Sequence, residues 1–141
     1  MDGRQDLAAM IAPLQRALIA AEQPVLRAHR LSMWGYIVLT ALDGQPVRTQ
    51  AALAEVIGAD KSRIIPVLDE LEAAGLLDRP RDPTDRRARL LAVTAEGRRK
   101  RQDVQSEIQR NEDRLLARLP VSDREAFLRS LALLSESPTV D

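Results

Sequence analysis

Two apolar helical patterns meet across Gly58-Ala59-Asp60, and an arginine-rich loop bounded by apolar pairs follows them. This succession, from Thr49 to Thr94, constrains the fold more than any other part of the chain. The first pattern, Ala51-Ala52-Leu53-Ala54-Glu55-Val56-Ile57, is preceded by Thr49-Gln50, with Thr49 suited to cap a helix, and Gly58 is suited to end it in a left-handed turn. The second runs from Lys61 to Leu71, with Asp60 as its cap. At about 100° per residue it turns Ile64, Val67, Leu68, Leu71 and Gly75 inward, and Ser62, Pro66, Asp69, Glu70 and Ala73 outward, with Arg63 flanking.

Helix, short glycine turn, helix is a helix-turn-helix pair, in which Ala54 lets the helices approach and the second is offered to the major groove of DNA. Lys61 and Arg63 make that helix basic at its start, while Asp69 and Glu70 make it acidic further on, so its first turns should approach the phosphates. Pro66 forfeits the backbone bond to Ser62 and should distort the helix, and its ring is of a kind that contacts a thymine methyl. The loop Arg79-Pro80-Arg81-Asp82-Pro83-Thr84-Asp85-Arg86-Arg87-Ala88-Arg89 lies between Leu76-Leu77 and the short apolar strand Leu90-Leu91-Ala92-Val93. These flanks predict a two-stranded hairpin with a basic tip. An arginine-rich run is ordinarily a solvated face. Beside a helix pair it reads as a wing, because the narrow minor groove attracts guanidinium groups. Asp85 is expected to orient Arg87 by an ion pair.

Composition narrows the alternatives. A chain of 141 residues predicts one domain, and with only Trp34, Tyr36 and Phe127 as aromatics its core must come from Leu, Ile, Val and Ala, which favours packed helices. There is no cysteine and a single histidine, His29, so neither a disulfide framework nor a metal site is expected. The net charge is zero, yet Lys61 to Arg101 holds eleven basic residues against seven acidic ones. Of the 21 basic residues 19 are Arg, a bias that a GC-rich coding sequence would also produce. The carboxylates fall on charged, solvated stretches without a nucleophile and base, so no catalytic residues and no cofactor are expected. No basic segment leads into an apolar run at the amino terminus and nothing reaches bilayer-spanning length, so a cytoplasmic protein without a membrane partner is expected.

The flanking regions are helical. Leu7, Ile11, Leu14, Leu18, Ala21 and Val25 form one apolar stripe, in which Pro13 should bend the helix and Pro24 should kink or fray its end. Ser32 can cap a helix from Met33 to about Leu42, stopped by Asp43-Gly44-Gln45-Pro46. His29, Trp34 and Tyr36 around its start either line a small-molecule pocket between the first two helices or are core and rim residues. Thr94 caps a long helix to about Leu119, with Val104, Ile108, Leu115 and Leu119 on one side and Pro120 as the break. Val121-Ser122-Asp123-Arg124-Glu125 has the form of a capping box opening a sixth helix, on which Phe127, Leu131 and Leu134 fall in register, with Leu128 and Leu133 widening the face. The tail from Ser135 to Asp141 is expected to be loose. First and last helices offer more apolar surface than the central unit can cover, which predicts an isologous homodimer.

Gly75-Leu76-Leu77, seven residues, Asp85-Arg86-Arg87, six residues and Thr94 together resemble the signature of the MarR family of bacterial winged-helix transcriptional regulators. Thr49-Gln50 with Leu53-Ala54, and Thr94-Ala95-Glu96-Gly97 opening a long helix, are similar to that family as well. The resemblance implies a mainly α (α+β) winged helix-turn-helix with a small β-hairpin wing and N- and C-terminal dimerisation helices. It implies a single domain over 1–141, with 32–96 the DNA-binding part and 1–31 and 97–141 the helical dimerisation part. It also implies Arg87 as the wing-tip side chain in the minor groove, Asp85 as its partner, and Ser62 and Arg63 as the major-groove end. Pro66 departs from the family pattern, which more often has a small polar residue there. The candidate DNA-binding residues are Thr49, Gln50, Lys61, Ser62, Arg63, Pro66, Arg81, Asp85, Arg86, Arg87 and Arg89, and the candidate effector contacts are His29, Trp34 and Tyr36. The function expected is a ligand-responsive repressor that binds a pseudo-palindromic operator in double-stranded DNA as a dimer. The alternative is a helical interaction module whose basic hairpin meets an acidic protein.

Overall fold

The computed structural model describes residues 3–44, 48–136 and 138. The expected stop at Gln45-Pro46 and most of the tail lie outside these. In chain order the elements are α1 (Leu7–Ala28), α2 (Met33–Leu42), β1 (Arg48–Thr49), α3 (Gln50–Ile57), α4 (Lys61–Ala73), β2 (Leu77–Asp78), β3 (Arg81–Asp82), β4 (Asp85–Val93), α5 (Ala95–Leu116) and α6 (Val121–Glu136).

Local chemistry sets most helix ends. The hydroxyls of Ser32, Thr49 and Thr94 accept from the backbone N–H of Gly35 (2.9 Å), Ala52 (3.2 Å) and Gly97 (3.0 Å), each satisfying a donor that the first helical turn leaves free. Asp60 differs from expectation. Its side chain makes no capping bond, and its carbonyl oxygen alone receives Arg63 and Ile64. Gly58 and Gly75 take positive φ, 68° and 77°, and the residue after each returns its N–H to the preceding helix, Ala59 to Ala54 and Leu76 to Leu71. The capping box at Ser122 is not formed. Helix α6 already begins at Val121, and the N–H groups of Asp123 and Arg124 go to the Pro120 carbonyl at 3.0 Å.

Neither proline of α1 ends it. The helix runs through Pro13 and Pro24 to Ala28, held at its carboxyl end by the buried Val25 and Leu26. Likewise α4 continues past Pro66, because Ile64, Leu68 and Leu71 are buried and a proline on the solvent side loses only a bond whose carbonyl water can reach.

The hairpin is larger than its apolar flanks predict. Strand β4 has nine residues, carries Arg86, Arg87 and Arg89, and pairs antiparallel with three short strands. Leu77 lies opposite Val93, Arg81 opposite Arg89, and Thr49 opposite Leu90. This last pairing brings the start of α3 against the base of the wing.

The core is a single cluster drawn from α1, α2, α3, α4, β2, β4 and α5, with Leu26, Leu39, Leu42, Leu53, Ile64, Leu68, Leu77 and Leu91 among its fully enclosed side chains. Each contributes roughly 1.5–3 kcal/mol relative to exposure. No polar side chain is buried among the described residues. Helix α6 buries nothing, and the amino-terminal half of α1 presents Leu7, Met10 and Ile11 to solvent.

Candidate nucleic-acid interface

Pairing of β1 with β4 makes an open groove of about 250 Å³, lined by Thr49, Gln50, Ala51, Lys61, Arg87, Ala88 and Arg89. Five of the candidate residues therefore share one surface: the amino-terminal ends of α3 and α4 on one side and two wing arginines on the other. Helix amino termini carry unsatisfied N–H groups and partial positive charge, so this surface suits an anion.

The wing is shaped by its carboxylates. Asp82 accepts from Thr84 twice, at 2.8 Å from the backbone and 2.7 Å from the hydroxyl, which closes the turn between β3 and β4 and holds the Asp82 carboxyl below its ordinary pKa. Asp85 accepts from the backbone N–H of Arg87 at 3.0 Å. It thus fixes the main chain at Arg87, and no ion pair of Asp85 with the Arg87 guanidinium occurs among the described residues, contrary to expectation. A carboxylate two positions away along an extended strand meets the backbone sooner than the far end of a long side chain. Arg81 and Arg86 are exposed on the same hairpin. Arg81 opposes Arg89 across the ladder, a like-charge pairing that an anionic partner relieves.

On α4 the outward face contains Ser62, Pro66 and Asp69, all exposed, as the helical period requires. Arg63 is placed differently from the expected groove contact: its guanidinium carbon lies 5.9 Å from the centroid of the Trp34 ring on α2, within cation–π range. Arg79 is a residue that sequence reasoning missed. It pairs with Asp69 and approaches Glu72 at 3.9 Å, tying the acidic half of α4 to the root of the wing. Alternate acids at Asp69 and Glu72, ten and seven positions before an arginine, are too common a pattern to single out before the fold is known.

The three candidate effector contacts sit apart from each other in chemistry. His29 Nε2 meets Glu107 Oε1 at 3.0 Å, and the His29 carbonyl accepts from Lys100 Nζ at 2.9 Å, so this residue joins the end of α1 to α5. Trp34 carries Arg63. Tyr36 packs half-buried against the core, and burial pushes its phenol pKa up. A separate cavity of about 160 Å³ lies between α1 and α5, lined by Ala17, Leu18, Ala21, Glu22, Ile108, Asn111, Glu112 and Leu115. Burial raises the carboxyl pKa of both Glu22 and Glu112, with Glu112 adding to the first and Asp113 to the second. Nothing in the sequence marked Glu22 and Glu112 as neighbours, since they are brought together only by the antiparallel seat of α1 on α5. Just past the end of α2, Asp43 meets Arg101 of α5 at 2.8 Å, a second tie between the long helix and the central unit.

Known proteins share this fold. A MarR family model matches residues 31–88. The chain is 32% identical over 107 residues to a transcriptional regulatory protein assigned to the hcr operon of Thauera aromatica, a match covering 73% of this chain and 64% of that one. The chain thus spans less than two thirds of that relative's length. It is similar in structure to the transcriptional repressor CouR bound to a 23-mer DNA duplex, with 30% identity, a TM-score of 0.79 and 92% of each chain covered. It is similar also to CouR from Rhodococcus jostii RHA1 bound to p-coumaroyl-CoA, with 29% identity, a TM-score of 0.77, and 97% of this chain and 96% of that one covered. Signature residues, winged helix-turn-helix architecture and these likenesses agree: the chain belongs to the MarR family of transcriptional regulators.

Proposed function

We propose that this protein is a cytoplasmic, sequence-specific repressor that binds a pseudo-palindromic operator as a homodimer and is released by a small-molecule effector, with no catalytic step. The observation that carries this reading is the groove in which Thr49, Gln50 and Lys61 face Arg87 and Arg89. It joins a helix-pair surface suited to the major groove to a basic hairpin suited to the minor groove. Residues 32–96 serve as the DNA-binding part, while 1–31 and 97–141 supply the dimer contacts. The exposed Leu7, Met10 and Ile11 of α1 and Phe127, Leu131 and Leu134 of α6 support that division. CouR's binding of a DNA duplex and of p-coumaroyl-CoA supports both the operator and the effector. No helix among the described residues is long and apolar enough to cross a membrane.

The α1–α5 cavity is the effector site we favour, because its volume is close to that which holds a benzene-sized molecule. Selection of bound sequences from a random duplex pool tests the function. Enrichment of two inverted half-sites with centres about 10 base pairs apart is expected. A pool that stays unenriched contradicts it.

A further inference from the structure

A recognition helix usually specifies bases through Arg or Lys on guanine and Asn or Gln on adenine. The outward face of α4 offers none of these at its middle. Its single arginine, Arg63, is turned onto Trp34, and Asp69 is held by Arg79. Lys61 lies at the first turn, in the groove facing the wing. Between these charged positions stand Ile65, 41% exposed, and Pro66, also exposed.

Such a pair is otherwise unfavourable. An exposed isoleucine leaves apolar surface in water, and a proline inside a helix forfeits a backbone hydrogen bond. Neither belongs to the core cluster. In the major groove the one apolar group on a base edge is the C5-methyl of thymine. Resting on the reading of this face as the operator-binding face, we infer that Ile65 and Pro66 read thymine methyl groups, so that each half-site carries A·T pairs beneath the middle of α4. Ser62, one turn earlier on the same face, leaves that approach uncrowded because its side chain is small.

The test uses the full-length protein and a duplex obtained by the selection described above, in which thymines of the half-sites are replaced one position at a time by deoxyuridine. This deletes only the methyl group. At one or two positions per half-site the dissociation constant should rise about fourfold for each methyl lost, and about fifteenfold when both half-sites are changed. In the Ile65→Ala variant, the same replacement should have a reduced effect at the position Ile65 covers, with affinity for the uridine duplex close to that of the wild type. The inference is overturned if every uridine duplex is bound as tightly as its parent while the parent is bound well. Failure to bind any parent duplex instead overturns the reading of the face itself, and this inference with it.

Discussion

An alanine at position 97 would place its Cβ 2.2 Å from the Leu76 carbonyl oxygen and 2.8 Å from Val93 Cγ2. Backbone cannot yield as a flexible side chain does, so Gly97→Ala should lose about 1–3 kcal/mol of stability, seen as a lower Tm in thermal denaturation. An unchanged Tm would show that the start of α5 does not press on the wing root as described. Gly97 stands in the Thr94-Ala95-Glu96-Gly97 run by which the sequence resembles its family, yet the close approach itself is a tertiary fact. Thr94 illustrates the same division. Its role as a helix cap is readable from the sequence, whereas its hydroxyl bond to the Gly75 carbonyl at 2.7 Å, which ties the wing to the end of α4, is not. The wing arginines fall where the motif spacing leads one to look, but the partner of Asp85 changes from a guanidinium to a backbone N–H. Pattern reveals which residues come close along the chain. Whether a side chain meets main chain or side chain depends on local dihedral angles that composition does not set.

Among the elements, the helices are the most legible, because caps, glycine stops and apolar periodicity are local signals. Their ends depart from expectation at Pro24, where burial of Val25 and Leu26 carries α1 onward, and at Ser122, where the Pro120 carbonyl takes the first N–H groups of α6. The strands are less legible. Arg86, Arg87 and Arg89 have little intrinsic preference for a strand, and only pairing with β3 across the hairpin extends β4 to them. The α1–α5 pair makes a pH-dependent prediction. Burial raises the folded-state pKa of Glu22 above its ordinary 4.5. As pH climbs past that ordinary value the unfolded chain releases its proton first, so stability falls until the raised pKa is passed, and the loss is complete above both. Glu22→Gln removes the ionisation. It should therefore raise the Tm relative to wild type at pH 7, and by less at pH 4, measured by thermal denaturation at both. A variant that gains equally at the two values, or gains nothing at pH 7, contradicts the burial of Glu22 against Glu112.

For the whole molecule, the uncovered apolar surfaces of α1 and α6 are the dominant unspent interaction. Leu7 is 58% exposed and Leu134 66%, and both belong to helices that contribute little or nothing to the core at those positions. Sedimentation at micromolar concentration should show a dimer, and Leu131→Asp on α6 should shift it toward monomer while leaving the core unchanged. A wild-type monomer there would contradict the proposed assembly. A dimer also supplies two wings to one duplex, which makes the salt dependence of binding informative. Each cation that neutralises a phosphate adds about 0.9 to the magnitude of the slope of log affinity against log salt. The most direct test of the account is therefore a titration of the selected operator with wild type and Arg87→Ala at several salt concentrations, with the Tm of both recorded. For Arg87→Ala an unchanged Tm is expected, with affinity weaker by about tenfold or more and a slope shallower by about two, one cation per protomer. An Arg87→Ala protein that binds with the wild-type affinity and slope would contradict it.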